Sequence, residues 1–364
     1  MAESKTEIQQ EIQKNNANGS VILSPTFCVA MMKNGTTSKI EGSVDQFVQM
    51  IKDADFTWVN VQVSDLESEA VHVASTLGFT PSILTELLGQ RFSGYEDLNT
   101  ELALMLPAVR VRQLDVEVNK LIILMKGNTI VTIHDKHVTR LIKFARYAVT
   151  FFKKVSKNLD EIDKISLVLI RILDENNERN FDGIRSIQEQ GEVISKYLID
   201  TKLRRELGTD IYKMKHALIS YLEALWASLD VIHYLRYGDA ELITDDQITL
   251  QKIGILSADL TRQISISEQM SSVLASGLEV LQSIYNNQLT VLNNRISMLA
   301  LWLAVMGTAF IVPNTIATIL GTQIGELLSW KTELTIIIVS TLVSVMLAYI
   351  LIKKKSLFPP AVIE

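Results

Sequence analysis

Four polar side chains recur on one face of the apolar stretch near the end of this chain. Asn287, Asn294, Thr308 and Thr315 are separated by seven, fourteen and seven residues, a spacing that keeps them on one side of a helix. In such a setting, asparagines commonly set the register of paired helices and hydroxyls commonly bond back to their own backbone. Rings of these oxygens, contributed by several copies of one helix, can also replace water around a cation. The pattern by itself leaves these uses open.

The polar residues belong to a longer stripe that alternates steps of four and three residues. A repeat of 3.5 residues per turn predicts that identical helices associate as a left-handed bundle. Its apolar members Met298, Leu301, Val305 and Val312 are predicted to form a hydrophobic gate that closes by dewetting. The full stripe comprises Val273, Gly277, Val280, Ile284, Asn287, Val291, Asn294, Met298, Leu301, Val305, Thr308, Val312 and Thr315.

Two uncharged runs near the C-terminus are long enough to cross a bilayer. Ser297 to Leu320 contains 24 residues and Leu334 to Ile352 contains 19, whereas a hydrocarbon core needs about 20 residues of helix. We therefore predict a pore-lining transmembrane helix over 297–320 and a second, more uniformly apolar one over 334–352. The alternative, a pair of helices buried in a protein core, is disfavoured because only 13 residues separate the runs.

The flanking charges predict the orientation of this hairpin. Arg295 precedes the first run and Lys353 to Lys355 follow the second, and basic residues concentrate on the cytoplasmic side. Both termini are therefore expected in the cytoplasm, with 321–333 as an extracellular loop and 353–364 as a basic tail. The polar N-terminus lacks a secretion signal, so the soluble part is expected to stay in the cytoplasm. With its two spans, the chain is predicted to be a multi-pass protein of the plasma (inner) membrane. In the loop, Glu326 and Glu333 are candidates for acids that concentrate cations at an outer mouth.

Pro313 lies deep inside the first predicted span. A proline removes one backbone hydrogen bond and frees a carbonyl three or four residues earlier, here near Ala309 and Phe310. In lipid, a freed carbonyl must find a partner or face a water-filled cavity. Because the polar stripe lies beside Pro313, the sequence favours a helix kink next to a water-filled pore.

The preceding residues predict an α+β cytoplasmic domain over 1–240 and a stalk helix over 241–296. A strand is predicted over Phe56–Val63, a helix from Asp65 through Leu77, and a short helix after Pro81. Several further strands follow, with turn chemistry at Asn119-Lys120 and Gly127-Asn128. From His137 to about Arg236 the spacing is helical. The alternation predicts a mixed sheet with helices on its faces.

Composition and motifs exclude several classes of protein. The net charge of −6 and the pI near 5.5 disfavour a nucleic-acid partner. The single cysteine, Cys28, cannot form an intrachain disulfide and is expected to be a small buried hydrophobe. His134 and His137 are interpreted as parts of a solvated turn and not as a metal pair. Without a P-loop, a G-x-G-x-x-G or a serine elbow, an enzyme or an ATP-driven pump is disfavoured.

A β-rich N-terminal domain, a long stalk helix, two C-terminal spans and a lysine tail together resemble the CorA family of divalent-cation channels. The likeness covers most of the chain. "GNTIVTIHD" (Gly127–Asp135) is similar to the family's final strand, and "DIYKMKHALISYLEALWASLDVIHYL" (Asp210–Leu235) to the helix that precedes the stalk.

The first span is similar to the family's pore signature, I-F-x-P-x-T-x-I-A-G-x-Y-G-M-N. Phe310, Pro313 and Thr315 match with one extra residue, and Ile316-Ala317 match after one deletion. The terminal Gly-Met-Asn falls on Gly321-Thr322-Gln323, so the glycine is kept and a longer amide replaces the asparagine that captures hydrated ions in the family. The resemblance implies that these three residues form the outer mouth. The family's asparagine near the cytoplasmic end falls on Met298 when counted back from Pro313 without a gap, and Asn294 offers the matching amide one turn lower.

The resemblance also implies a funnel-shaped homopentamer with intracellular feedback. In the family, divalent ions bound between soluble domains hold the stalks closed. Carboxylates near the stalk base would supply the ligands, since Mg²⁺ prefers oxygen, and the candidates here are Asp245, Asp246, Asp259 and Glu268.

The sequence thus predicts a passive divalent-cation channel, with Mg²⁺ as the leading transported and regulatory ion. One alternative is a Zn²⁺, Co²⁺ or Ni²⁺ transporter of the same architecture, although softer metals commonly bring His or Cys near the pathway. The other is a non-conducting, membrane-anchored oligomeric scaffold. Beyond the cation, the expected partners are further copies of the chain and the lipid bilayer.

Overall fold

A computed structural model describes residues 26–155, 159–199, 204–237, 240–321 and 329–354 of the chain. The chain divides into two compact units, Met1–Ser276 and Gly277–Glu364, called here the N-terminal unit and the C-terminal unit. The described strands are β1 (Phe27–Met32), β2 (Thr37–Glu41), β3 (Ala54–Gln62), β4 (Gly94–Asp97), β5 (Glu101–Arg112), β6 (Asp115–Lys126) and β7 (Thr129–His134). The described helices are α1 (Val44–Asp53), α2 (Leu66–Thr76), α3 (Pro81–Leu88), α4 (Leu141–Lys154), α5 (Glu161–Ile199), α6 (Arg204–Tyr237), α7 (Gln247–Leu320) and α8 (Trp330–Lys354).

The seven described strands of the N-terminal unit form one mixed sheet in the order β2-β1-β3-β7-β6-β5-β4. β3 and β7 are parallel, and every other neighbouring pair is antiparallel. The parallel pair lies at the centre, where Thr57 to Gln62 align with Thr129 to His134. This arrangement confirms the predicted mixed sheet, the strand near 56–63 and the final strand in "GNTIVTIHD".

Both faces of the central strands are covered, which explains why β3 is buried along almost its whole length. On one face, Val59 and Val61 pack in a cluster with Phe47 of α1 and Leu84 of α3. On the other face, Trp58 stacks on Phe144 of α4 with ring centroids 4.6 Å apart. The alternation of side chains along a strand sends neighbouring residues to these two cores.

The helices of the N-terminal unit follow the predicted pattern closely. Asp65 caps α2, with its side chain accepting a hydrogen bond from the Glu67 N–H, and Pro81 occupies the first turn of α3, the position where proline costs no hydrogen bond. The region predicted as helical after His137 forms α4, α5 and α6. The segment Asp210–Leu235, identified as the helix before the stalk, lies within α6.

One predicted turn and one predicted environment are wrong. Asn119-Lys120 lies inside β6, where Asn119 pairs with Ala108 of β5, and the chain instead reverses at Gln113, which has a φ of 57°. His134 is not solvated: it is buried in β7 and lies within 3.2 Å of the Asn60 Oδ1. By contrast, the turn at Gly127 (φ 52°) and the burial of Cys28, which raises the pKa of its thiol to about 12, confirm the predictions.

The C-terminal unit contains the end of α7 and all of α8. Both helices include windows apolar enough to cross a membrane, with mean hydropathy of 2.0 and 2.5, and only 11% of each window is buried within the chain. A pair of core helices in a soluble protein would be mostly buried, so the exposure disfavours that alternative. α7 continues as helix through Pro313 to Leu320.

Candidate ion pathway

The polar stripe lies on an exposed face of α7. Asn287, Asn294, Thr308 and Thr315 are all exposed in the single chain. The only charged residue of α7 beyond Glu279 is Arg295, so the face offers neutral amide and hydroxyl oxygens. Each of the four predicted residues is accessible from outside the chain, as are most of their neighbours on this part of α7.

The threonine hydroxyls of this face bond back to their own helix. Thr308 Oγ1 donates to the Val305 carbonyl at 2.8 Å, and Thr315 Oγ1 donates to the Ile311 carbonyl at 2.9 Å. Each hydroxyl has one hydrogen and two lone pairs. Because the hydrogen is used within the helix, the oxygen remains an acceptor directed outward. An acceptor of this kind suits the water hydrogens of a hydrated cation or the cation itself.

The four predicted gate residues divide between two environments. Leu301 and Val312 are 44% and 48% exposed, whereas Met298 and Val305 are half-buried. The buried side of the span consists of small or rigid residues, with Ala309 and Pro313 on α7 and Ser344 and Ala348 on α8. Small residues allow membrane helices to approach closely, so α8 is expected to cover a face that flanks the stripe and to leave the stripe free.

The predicted outer mouth is described only at its first residue. Gly321 is exposed, and its N–H donates to the Ala317 carbonyl at 3.0 Å, which ends α7. Thr322, Gln323 and Glu326 lie outside the described residues. Glu333 lies in the first turn of α8, where an acid is favoured by the positive end of the helix dipole.

Of the regulatory candidates, Asp245 and Asp246 lie just before α7, and Asp259 and Glu268 lie in its first half. Asp246 caps the helix: its Oδ2 accepts hydrogen bonds from the backbone N–H of Thr249 at 3.0 Å and from the Thr249 hydroxyl at 2.9 Å, and these bonds lower its pKa. Asp245 and Glu268 are exposed, and Asp259 is half-buried.

Asp259 belongs to an acidic neighbourhood that spacing alone does not reveal. Burial raises the pKa of Asp174, Arg171 opposes the rise, and Glu175, Glu178 and Asp259 add to it. Among the described residues, however, no three His, Cys, Asp or Glu side chains lie close enough together to hold a metal ion.

The exposed apolar surface around α7 is a feature that the sequence motifs did not predict. Between Glu279 and Arg295, and beyond it to the span, large apolar residues of α7 are exposed around the helix, among them Tyr285, Leu289, Leu292, Ile296 and Leu299. The signal in the sequence was the near absence of charge over this stretch. Exposed apolar surface of this extent marks an interaction surface.

The comparisons with known proteins agree with this architecture. A family model described as CorA-like Mg²⁺ transporter protein matches residues 53–354. The structure of the CorA magnesium transporter from Methanocaldococcus jannaschii is similar over 92% of this chain and 98% of that chain, with 17% sequence identity and a TM-score of 0.68.

Two further solved structures share the fold. The full-length CmaX protein is similar over 84% of this chain and 88% of its own, with 16% identity and a TM-score of 0.56. The ZntB cytoplasmic domain from Vibrio parahaemolyticus RIMD 2210633 is similar over 73% of this chain and 100% of its own, with 13% identity and a TM-score of 0.51. No curated protein sequence matches the chain significantly. At these identities the structural likenesses show the fold.

Proposed function

The chain belongs to the family of CorA-like Mg²⁺ transporter proteins, and from that premise we propose that it is a passive divalent-cation channel for which Mg²⁺ is the leading substrate. Members of this family transport divalent cations and are not enzymes. We infer that the channel carries ions into the cell across the plasma membrane, with both chain termini in the cytoplasm. The membrane potential would supply about 4.6 kcal/mol for two charges at 100 mV.

The observation that carries the proposal is the exposed, neutral oxygen face of α7. Stripping water from Mg²⁺ is costly, and the ion usually keeps several waters when it binds protein. Thr308 and Thr315, whose hydrogens are used within the helix, present acceptors that match the outward-pointing hydrogens of a hydrated cation. We therefore propose that the ion passes at least partly hydrated, along Asn287, Asn294, Thr308 and Thr315.

The channel is proposed to be a homopentamer. The exposed apolar surface of α7 around Tyr285 and Leu289 supports self-association, and the number five comes from the family. In that assembly the α7 spans would line the pore and the α8 spans would face lipid. Gly321, Thr322 and Gln323 would form the outer mouth, with Glu326 and Glu333 raising the local cation concentration.

Closing is proposed to occur where the stripe is apolar. Met298, Leu301, Val305 and Val312 would form rings that exclude water when the helices approach, as hydrophobic constrictions do in other channels. Intracellular divalent ions would hold this state. Their ligands are proposed to come from Asp245, Asp246, Asp259 and Glu268 of neighbouring copies, because a single chain does not assemble three ligands within its described part.

The competing substrates are Zn²⁺, Co²⁺ and Ni²⁺. The fold is shared with proteins other than the CorA magnesium transporter, so the fold alone does not select Mg²⁺. The neutral oxygen face favours the harder Mg²⁺, since thiolate and imidazole ligands select softer metals. Competition between the four ions in one flux assay decides among them.

The experiment is divalent-cation flux into proteoliposomes that contain the full chain. Thr308→Val and Thr315→Val remove the oxygen and keep the side-chain shape. Thr318→Val is the matched control, because Thr318 also donates to its own helix, to the Asn314 carbonyl at 2.8 Å, and lies in the same span but off the stripe.

We expect Mg²⁺ flux to fall about tenfold or more in the two stripe variants. A neutral hydrogen bond contributes about 1 kcal/mol, and every copy of the chain in the channel loses this bond in the variant. The summed loss exceeds the roughly 1.4 kcal/mol that corresponds to a tenfold change. Flux through Thr318→Val should be unchanged. Equal flux through all three variants would show that the stripe does not line the pathway. If the unmodified chain conducts no divalent cation, the channel proposal is wrong and the non-conducting scaffold is favoured.

A further inference from the structure

A cleft in the N-terminal unit gathers cationic side chains that ion conduction does not use. It has a volume of about 230 Å³ and lies where the end of β5, the residues before α4 and the middle of α5 meet. Its polar lining consists of Arg110, His137, Thr139, Arg140, Arg179 and Asp182. Three arginines and one aspartate therefore line a cleft large enough for several water molecules.

Arg140 is a buried cation whose hydrogen-bond partners are neutral. Only 8% of its surface is exposed, and its guanidinium donates to the carbonyls of Val109 and Asn176 and to the Asn180 Oδ1 at 2.6 Å. Within the described ranges no carboxylate forms an ion pair with it. A buried charge without an opposite charge is unfavourable, so an anion in the cleft would be stabilising.

The other two arginines carry only loose ion pairs. Arg179 lies 3.8 Å from Asp182, and Arg110 lies 3.9 Å from Glu117. All four side chains are at least one third exposed, and pairs of this kind contribute little to stability. Both guanidinium groups are therefore available to a stronger anionic partner.

The backbone adds positive potential to the same place. α4 begins at Leu141, so Arg140 occupies its N-cap position, and no side chain there accepts a hydrogen bond from the first turn. The N-terminus of a helix attracts anions through its free N–H groups and its dipole. A cation at this position is unfavourable by the same argument. Burial lowers the pKa of Arg140 to about 10, and the charge of Arg179 contributes to the shift.

Close packing holds the floor of the cleft in place. Gly183 lies on α5, where an added Cβ would come within 3.0 Å of Val111 and of the Tyr221 ring. The absence of a side chain there lets Tyr221 approach α5 and donate its hydroxyl hydrogen to the Asn180 carbonyl. The Asn180 side chain in turn accepts a hydrogen bond from Arg140. Contacts from β5, α5 and α6 therefore fix the direction of the buried guanidinium.

We propose that this cleft binds a small soluble anion that carries a phosphate group. Guanidinium groups match phosphate oxygens in geometry and charge. Arg110, Arg140 and Arg179 come from three different elements, and a tetrahedral phosphate offers more oxygens to three guanidinium groups than the two of a carboxylate. The ligand would tie β5, α4 and α5 together and thereby stabilise the N-terminal unit.

The test uses the full chain in detergent, in metal-free Tris chloride, with inorganic phosphate and pyrophosphate as the probes. Binding is measured by calorimetric titration and by the rise in thermal midpoint, each against potassium chloride of equal ionic strength. Arg179→Gln and Arg110→Gln remove charge from partly exposed positions, so the fold should persist, and circular dichroism checks that it does. Arg185→Gln is the matched control: Arg185 lies on the same helix, is highly exposed and pairs with Glu189 at 3.2 Å, outside the cleft lining.

We expect saturable binding of pyrophosphate with one site per chain, about tenfold weaker in Arg179→Gln and in Arg110→Gln, since a charge-assisted hydrogen bond is worth at least this factor. Arg185→Gln should bind as the unmodified chain does. The proposal is overturned if neither probe binds above the chloride control, or if Arg185→Gln weakens binding as much as the cleft variants. Because binding is measured without ion flux, this result is independent of the channel's substrate.

Discussion

The two units of this chain use the same apolar residue types in opposite ways. In the N-terminal unit, Leu104, Trp58 and Phe144 are fully buried between the sheet and its helices. In the C-terminal unit, residues of the same kind point outward, and Leu303 is 65% exposed. The hydrophobic effect that closes the first unit therefore operates within one chain.

The difference indicates which environment surrounds the apolar side chains of each unit. Apolar side chains exposed over a length sufficient to span a bilayer are stable when lipid surrounds them, and the polar stripe is stable when it faces water or its own copies. The N-terminal unit buries its apolar side chains within the chain, whereas the C-terminal unit leaves most of them exposed. Mutations of equal chemistry should therefore have unequal effects in the two units.

The largest effect is expected from a matched pair of truncations. Leu104→Ala removes a fully buried side chain from β5 and should lower the free energy of unfolding by about 2–5 kcal/mol, the range for buried leucines. Leu303→Ala removes a side chain with few protein contacts and should change it by less than about 1 kcal/mol. Denaturant unfolding of the full chain in detergent, followed by circular dichroism, measures both. Equal losses would contradict the comparison.

The two units also differ in the charged residues that they contain. The C-terminal unit has no charged residue from Ile296 to Gly325, whereas the N-terminal unit buries Glu101 and pairs it. The Glu101 carboxylate accepts from Lys126 Nζ at 2.7 Å and from the Thr80 N–H at 2.8 Å. Burial alone would raise the pKa of Glu101, but these hydrogen bonds outweigh burial and hold it below its usual value of 4.5.

A pH series on Glu101→Gln tests this pairing. Because the folded-state pKa is depressed, the carboxylate stabilises the fold above pH 4.5, and this contribution is lost as pH falls through the folded-state pKa. At pH 7 the substitution should lower the free energy of unfolding by about 1–2 kcal/mol. The loss is no larger because Lys126 is partly exposed and solvent screens its charge. The difference from the unmodified chain should shrink below pH 4.5. Glu189→Gln, in an exposed pair with Arg185, is the control and should cost less than about 0.5 kcal/mol at pH 7.

The sequence predicted the elements whose signals are local. The strand near 56–63, the helices after Asp65 and Pro81, and the two apolar spans depend on periodicity and capping within a few residues. The turn at Asn119-Lys120 was wrong because a hairpin of two twelve-residue strands pairs Asn119 with Ala108, and pairing of strands outweighs local turn propensity. His134 was misplaced for a related reason, since its burial follows from the central position of β7 in the sheet.

The candidate sites divide along the same line. The polar stripe was proposed from a heptad repeat, which is a local pattern, and each of its polar members is exposed in the structure. The hydrogen-bond partners of the threonine hydroxyls could be seen only in the structure, because the same spacing fits a hydroxyl that bonds to its own helix and one that faces a cation. The cationic cleft could not be predicted, because Arg110, Arg140 and Arg179 lie far apart in sequence and meet only through β5, α4 and α5.

The smallest effect on stability, and the most informative about the C-terminal unit, is expected from Leu301→Ser. Leu301 is 44% exposed in the single chain, so its replacement should change the unfolding free energy by no more than about 0.5 kcal/mol. If its ring excludes water from a closed pore, a hydroxyl there should hydrate the constriction and raise Mg²⁺ flux at inhibitory internal Mg²⁺. Leu303→Ser is the control off the stripe and should not raise flux. Flux that stays inhibited in Leu301→Ser, or that rises equally in both variants, would place the gate elsewhere and leave the apolar stripe as a surface for association alone.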